Sequence, residues 1–461
     1  MIQTADITSD DELARVFAHI TANEDRSLAR LIDYLRNPSI SAQNIGITEV
    51  AALLVDMLTK MGLAAEAVAT AGHPMILARW DGAPGAPTVL LYGHYDVQPP
   101  DPLEAWISPP FEPTIRDGRL YARGAGDNKG QHFAQLMAIE AHLAVHGRLP
   151  CNVVVLLEGE EEVGSPHIAE FVRTHRDRLH ADLVITADGP IHASGVPTVT
   201  FGVRGMTTFE LRARGASRDV HSGNFGGVVP NPIWTLVHLL ATMKAPDGTI
   251  TIDGLHDAVL PPHVLEREAV ARLPLDLEQA KTELGLRRLD TPVDRPYYDR
   301  LMFHPTLTIN GLHGGYGGPG AKTVLPHEAF AKCDIRLVEA QTPADVLEKV
   351  AAHVKRHAPE VEFVPMDGMS PSKTPMDSPF AEPIRQAIIA AQGVEPLLIP
   401  VMGGSLPDYV FTKILGVPAF VVPYANADEA NHAPNENLKL ACFFAGIRTG
   451  AALLSHLARA L

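Results

Sequence analysis

The pattern of the chain predicts an α/β protein in two units: a mostly parallel sheet flanked by helices, with a smaller α+β unit inserted into it. Three observations predict this. The chain has 461 residues, more than a single hydrophobic core ordinarily supports. Up to Gly189, short apolar runs alternate with helical periodicities, and each run ends in an acid or a histidine, the order of a doubly wound plan. Near residue 200 the runs change to apolar–polar alternation, the mark of half-exposed antiparallel strands. The boundaries expected are 1–200 with 376–461 for the first unit and 201–375 for the inserted one.

Taken in order, residues 11–36 carry apolar positions at helical spacing, and 48–61 form a second helix stopped by Gly62. A strand is expected over 75–80 and another over 88–92, leading into Gly93-His94-Tyr95-Asp96. Residues 97–126 are Pro-rich and irregular, long enough for a functional loop, and 130–146 are helical. Residues 153–157 have the composition of a strand buried on both faces. That strand runs into Glu158, Glu160, Glu161 and Glu162, four carboxylates that are costly to desolvate together. Such a run is either a solvated turn or a place for something cationic. Ser165-Pro166 marks a helix start with Pro at its first position, the helix running to Leu179. Residues 183–186 form a strand ending in Ala187-Asp188-Gly189. Alternation over 199–214 and 329–338 gives the antiparallel strands, with helices at 231–243 and 343–357. Residues 366–375 are a return hinge. A helix over 381–392, a strand over 419–423 and a terminal helix over 437–460 complete the chain.

The net charge of −16 argues against a nucleic-acid partner and against a basic membrane-binding surface. Three scattered cysteines, Cys151, Cys333 and Cys442, offer neither a disulfide framework nor a thiolate metal site. The acidic N-terminus lacks the pattern of a leader, and no uninterrupted apolar run reaches about 18 residues. No membrane association and a cytoplasmic location are expected. Gly314–Gly320 is Gly-rich but lacks the Lys-Ser/Thr of a phosphate loop, so a mobile substrate loop is expected there.

His94, Asp127, the glutamates after Leu157, Asp188 and His432 stand at inferred strand ends of one sheet edge. Imidazoles and carboxylates without thiolates suit zinc, manganese or cobalt in a catalytic site.

The motifs Tyr92-Gly93-His94-Tyr95-Asp96-Val97-Gln98-Pro99, Gly124-Ala125-Gly126-Asp127-Asn128-Lys129-Gly130 and Glu158-Gly159-Glu160-Glu161-Glu162-Val163-Gly164-Ser165 resemble those of the co-catalytic di-zinc metallopeptidases. This is the family of aminoacylase, succinyl-diaminopimelate desuccinylase, glutamate carboxypeptidase and the cytosolic nonspecific and carnosine dipeptidases. Trp106 with Pro110-Phe111, the Arg218–Gly223 stretch and the Lys322–Pro326 stretch bring the resemblance nearest the dipeptidase branch. It implies a zinc-peptidase-like catalytic domain with an inserted lid and dimerisation domain, and hence a homodimer. It also implies two divalent ions per subunit, zinc expected, with manganese or cobalt as alternatives. The implied reaction is hydrolysis of the amide bond of a dipeptide or similar small substrate with a free C-terminal carboxylate.

By the same resemblance His94 and Asp188 would hold one metal, Glu162 and His432 the other, and Asp127 would bridge them. Glu161 would be the general base toward a metal-bridging water, and Asp96 would orient the ligand imidazole or its neighbours. His221 would reach a partner subunit's site and stabilise the oxyanion; a turn histidine capping a helix is the alternative. Arg336 would pair with the substrate's terminal carboxylate or else form a surface salt bridge. Thr323, Gly404 and Ser405 would contact substrate. Asn128 departs from the more common second aspartate, and a cis peptide is expected at Asp127–Asn128. The alternatives are an N-acyl-amino-acid amidohydrolase and, ranked lower because no ligand is lost, an inactive binding protein on the same scaffold. Glu158 and Glu160 carry no role, and Glu160 is expected to be solvated.

Overall fold

The computed structural model describes residues 7–289 and 296–460; the first six residues of the acidic N-terminal stretch, residues 290–295 and Leu461 lie outside the described residues. The N-terminal periodicity forms two helices rather than one, α1 (Asp10–Ala22) and α2 (Glu24–Leu35). Asn23 parts them: its backbone leaves the helical region at φ −118° and ψ 16°, and its side-chain amide donates to the His19 carbonyl at 2.8 Å. In α3 (Ile47–Lys60), Val50, Leu54 and Leu58 bury one stripe at four-residue spacing. Strands β1 (Ala64–Val68), β2 (Met75–Trp80) and β3 (Thr88–His94) follow, then α4 (Lys129–His146) and β4 (Asn152–Glu158).

The acidic turn does not pass straight into a helix at Pro166. Glu161–Val163 make a 3-10 turn, and Gly164 and Ser165 take left-handed backbone at φ 90° and 53°. Ser165 is held there by its hydroxyl, which donates to Glu158 Oε2 at 3.2 Å. Helix α5 is therefore short (Ile168–Thr174), and β5 (Leu183–Thr186) and β6 (Thr198–Thr200) come next.

The inserted segment contains β7 (Gly205–Arg214), α6 (Pro232–Met243), α7 (Val264–Arg272), α8 (Tyr297–Phe303), β8 (Thr306–Gly314), β9 (Glu328–Leu337), α9 (Pro343–His357) and β10 (Glu362–Met369). The chain then returns through α10 (Ala381–Gln392), β11 (Leu397–Ile399), β12 (Ala419–Val421) and α11 (Leu440–Leu457).

The central sheet is eight-stranded in the order β1-β2-β4-β3-β5-β12-β6-β11. The four inner strands β4, β3, β5 and β12 are parallel neighbours, so their carboxyl ends share one edge. Antiparallel β1 and β2 extend one side, and β6, antiparallel to β12, carries β11 on the other. Alternate residues of the inner strands enter two different cores. Val89, Leu91, Val153 and Val155 pack on the face of α3, α4 and α11, whereas Leu90, Tyr92, Val154 and Leu156 pack with Phe171 and Phe411. Burial on both faces is why these strands read as unbroken apolar runs.

Residues 97–126 are not wholly irregular. Thr114–Arg116 and Arg119–Tyr121 pair with Asn437–Lys439 as a small three-stranded sheet, which also delays the terminal helix to Leu440. That helix is long and apolar enough by length and composition to cross a membrane, yet 61% of it is buried inside the protein.

The inserted segment folds an antiparallel sheet in the order β8-β9-β7-β10. Phe209, Leu211 and Ile335 of this sheet share an apolar cluster of their own with Leu236 and Leu239 of α6 and Val350 of α9. Gly202–Val203 going out and Ser372–Lys373 coming back pair antiparallel, side by side. The expected hinge is thus partly strand, with β10 running to Met369 before the crossing. A separate cluster of Leu273, Met302, Phe303 and Val401 ties α7 and α8 to the β11 edge of the central sheet.

Candidate active site

The shared carboxyl edge of β4, β3 and β5 collects the acidic and imidazole side chains. His94 closes β3 opposite Glu158, the last residue of β4, and Asp188 lies two residues beyond β5. Two of the expected strand-end residues arrive differently. Asp127 precedes the Asn128 cap of α4, joined to it by the expected cis peptide, and His432 sits in the long loop after β12 at φ 55°. The cause is topological: a helix N-terminus and a returning loop reach the edge as readily as a strand.

One ligand atom each from His94, Asp127 and Asp188 lie within 4.8 Å of one another, and so do those of Asp127, Glu162 and His432. His94 Nε2 is 3.1 Å from Asp127 Oδ1, 3.5 Å from Asp188 Oδ2 and 4.0 Å from Glu161 Oε2. His432 Nε2 is 3.0 Å from both Asp127 Oδ2 and Glu162 Oε2. Asp127 therefore turns one oxygen to each imidazole.

Neighbouring groups hold these side chains in place. The Asp96 carboxylate accepts the backbone amides of Glu161 at 3.2 Å and Glu162 at 3.1 Å, and its Oδ1 lies 3.3 Å from His94 Nδ1. Gln98 donates its side-chain amide to Glu162 Oε2 at 3.0 Å. Buried Glu436 accepts the backbone amides of Gly124, Gly126 and Asp127 and pairs with Arg123 at 2.7 Å, so the loop carrying Asp127 wraps around one carboxylate. Asn128 donates to the Ala187 carbonyl at 2.5 Å and accepts the His94 amide through Oδ1 at 3.2 Å. The donor half of that pair is one an aspartate could not supply, which is a physical reason for asparagine here.

None of Glu436, Gln98 and Asn128 carries a role in the sequence reading, although Gln98 and Asn128 stand inside the quoted motifs and Glu436 lies four residues after His432. Glu429, buried against Gly126, was outside every motif; burial raises its carboxyl well above the usual range. Glu160 is not solvated as expected: it is 5% exposed and lies 2.6 Å from His167 Nδ1. Glu158 is fully buried and accepts from Tyr92 at 2.7 Å, and burial pushes it up to about 8.

The electrostatics suit cations. Burial, then the charge of Asp127, pushes Glu162 up to about 7. Burial also raises Glu161 well above the usual carboxylate range, with Asp188, Glu162 and Asp127 adding to the shift. Burial opposes a charged His94, but its contacts with Asp127, Asp188 and Asp96 outweigh it and raise the imidazole well above its ordinary value. Hydrogen bonds to Asp127 and Glu162 push His432 up to about 11. Asp188 Oδ2 is buried without a hydrogen-bond partner. Two sets of one imidazole and two carboxylates, sharing Asp127, fit a pair of hard or borderline divalent ions.

These residues open into a cavity of about 520 Å³. Asp127, Glu161, Asp188 and His432 stand on its wall, as do Arg336, Gly404 and Ser405. Arg336, near the end of β9, donates to Ser405 Oγ at 2.7 Å and also pairs with Asp334 at 3.4 Å, so it lines the cavity and takes part in a salt bridge there. His221 and Thr323 are not brought here. They lie on an arm in which Val220–His221 pairs with Val324–Leu325, where the His221 ring accepts the Gly223 amide at 3.0 Å and caps the short helix Ser222–Phe225. Within one chain the capping alternative is the one observed. The Gly314–Gly320 loop joins the same arm, and Tyr316 is exposed in it.

The model of peptidase family M20/M25/M40 matches residues 90–456. The human Beta-Ala-His dipeptidase is 29% identical over 97% of this chain and 93% of its own length. A Cys-Gly metallodipeptidase of Saccharomyces cerevisiae is 30% identical over 83% of this chain and 82% of its own. The crystal structure of an M20 family metallo-carboxypeptidase from Sulfolobus solfataricus superposes with a TM-score of 0.89 at 34% identity, covering 94% of this chain and 99% of that one.

Proposed function

From the premise that this chain belongs to peptidase family M20/M25/M40, we propose that it is a metal-dependent dipeptidase, hydrolysing the amide bond of small substrates with a free C-terminal carboxylate. One observation carries the reading. Two imidazole–carboxylate sets share Asp127 on the wall of a cavity that also bears Arg336 and Ser405. A second reading, an N-acyl-amino-acid amidohydrolase, is favoured by one feature. Among the described residues lining the cavity, the carboxylates are those of Asp127, Glu161 and Asp188 only, so no separate acid faces a substrate ammonium.

We assign His94 and Asp188 to one metal, Glu162 and His432 to the other, and Asp127 to both, with zinc as the metal and manganese or cobalt as substitutes. When bound, the ions supply Lewis acidity toward the scissile carbonyl and toward water. The chain's own residues do the rest. Glu161 Oε2, beside His94, takes the proton from the attacking water and delivers it to the leaving amine. Asp96 fixes that carboxylate by holding the amides of Glu161 and Glu162. Arg336, with Ser405 and the Gly404 backbone, holds the terminal carboxylate and so registers the amide against Glu161.

In this reading residues 1–200 and 376–461 form the catalytic domain and 201–375 an inserted lid and dimerisation domain. Supporting the homodimer, the outer edge of β8 has no strand partner among the described residues and carries exposed Ile309 and Leu312, while α6 exposes Trp234 and Val237. His221 and Thr323 would then serve the partner's cavity. A cytoplasmic location fits the free cysteines.

The test is a panel of dipeptides and N-acyl amino acids assayed with zinc, manganese and cobalt, with metal content measured on the same samples. Hydrolysis should accompany about two ions per chain and be lost when the terminal carboxylate is capped as an amide. Full activity with less than one ion per chain would overturn the mechanism.

A further inference from the structure

Much of the cavity wall is apolar, with His192, Thr198, Thr200 and Tyr298 set among the apolar side chains. Six of its residues are Leu301, Met302, Ile399, Val401, Met402 and Val421. They come from α8 of the inserted segment and from β11, β12 and the loop after β11, so both parts of the molecule build this wall.

The wall is packed, not merely lined. A Cβ on Gly403 would come within 3.0 Å of Leu301 Cδ1, which places Leu301 directly over the loop that presents Ser405. A Cβ on Gly189 would lie 3.6 Å from Met402 Sδ, so Met402 adjoins the residue after Asp188. Met302 and Val401 belong to the cluster that ties α8 to the central sheet, and Val421 packs with Leu406 and Met402. Of the polar groups on this wall, the Tyr298 hydroxyl donates to the Pro274 carbonyl at 2.8 Å and lies 2.9 Å from His192 Nε2, while Thr198 and Thr200 add hydroxyls but no charge. Among the described residues lining the cavity, a cationic side chain would find no counter-charge except the carboxylates already assigned to the metals and the general base. An aliphatic side chain would displace water from apolar surface at about 0.8 kcal/mol per methylene.

We propose that this wall is the side-chain subsite and that the enzyme's substrates carry a bulky aliphatic residue, such as leucine, rather than the small or imidazole-bearing residues in the names of its curated relatives. The inference rests on the proposed hydrolase reading and extends it to substrate class.

The experiment measures kcat/KM of the metal-loaded protein on two series, Xaa-Leu and Leu-Xaa, with Xaa as Gly, Ala, Val, Leu, Lys or Glu, beside β-Ala-His and Cys-Gly. In at least one series the value should climb about fourfold per added methylene and drop at least about tenfold from Leu to Lys or Glu. Leu-Leu should exceed both β-Ala-His and Cys-Gly. A flat or inverted series, or a preference for either named dipeptide, would overturn the subsite.

Leu301→Glu, on the cavity side of α8, should reverse the Leu-over-Lys preference; an unchanged ratio in a folded variant counts against the wall. Should no substrate of any series be cleaved, the hydrolase reading fails, and the subsite is judged by binding instead. Titration of Leu-Leu, Ser-Ser and Lys-Lys into the metal-loaded Glu161→Gln protein should then rank Leu-Leu tightest by at least about tenfold. Equal affinities would refute the subsite independently of turnover.

Discussion

Glu161 and Glu162 are adjacent in the chain, and the difference between them is made by what each side chain meets. Gln98 and His432 claim the Glu162 carboxylate, whereas Glu161 is aimed past them toward His94. Asp96 holds both backbone amides, so neither residue can rotate into the other's place without breaking a hydrogen bond to a buried carboxylate. If Glu161 is the proton carrier, Glu161→Gln keeps the shape and the metals but removes the basic oxygen. We expect unchanged metal content and a fall in kcat of roughly 10²–10⁴-fold; near-native turnover would remove Glu161 from the mechanism. At this scale the proposed ligand set and Glu161 could be named from the sequence only through the family resemblance, most of them inside its short motifs. Gln98 was in a motif too, and Glu436 lies close after His432, but their work is hydrogen bonding across the fold, as from the Asp127 amide to Glu436. No local pattern announces such a contact. The solvated reading of Glu160 failed for the same reason, since its partner His167 lies on the far side of a tight turn.

Among the elements, the inner strands were the easiest to read and the joints between them the hardest. Unbroken β-branched runs identified β3, β4 and β5 because two buried faces leave no position for a polar residue. The pairing order was not legible, since β12 joins β5 from more than two hundred residues away. The stretch after Ser405 was also unread: Val410–Leu415 winds as a π-helix two residues beyond buried Asp408, which accepts from Thr186 Oγ1 at 3.0 Å. Burial, aided by the charge of Asp188, pushes the Asp408 carboxyl up to about 7. A carboxyl whose folded value is raised favours the folded state while protonated. Its contribution is full below the ordinary value near 3.8 and is lost as pH climbs through about 7. Asp408→Asn has no such titration. Denaturant midpoints should therefore show the variant gaining on the wild type between pH 4 and 8, by up to about 4 kcal/mol. A difference constant across that range would show that Asp408 ionises in the fold as it does in the open chain.

For the molecule as a whole, the two polypeptide crossings at Gly202–Val203 and Ser372–Lys373 let the inserted sheet carry residues both toward its own cavity and away from it. Arg336 and Leu301 face inward, whereas His221 and Thr323 lie on an arm whose histidine is occupied locally as a helix cap. If the arm completes a partner's cavity, the dimer is a catalytic unit and not merely a stable pair. Two variants distinguish these cases. Lysines at Trp234 and Ile309, both exposed, should separate the subunits with little cost to the fold while lowering turnover by at least about a hundredfold. A fully active monomer would contradict the crossing. Mixing then gives the sharper test. His221→Ala and Glu161→Gln chains are each nearly inactive as homodimers, but a heterodimer pairs the intact Glu161 of one chain with the intact His221 of the other. After subunit exchange at equal ratio, half the dimers are mixed and one cavity in each is complete, so about a quarter of the wild-type activity should return. Recovery requires that His221 act across the interface, because a histidine acting within its own chain would leave every cavity in the mixture with one of its two groups missing.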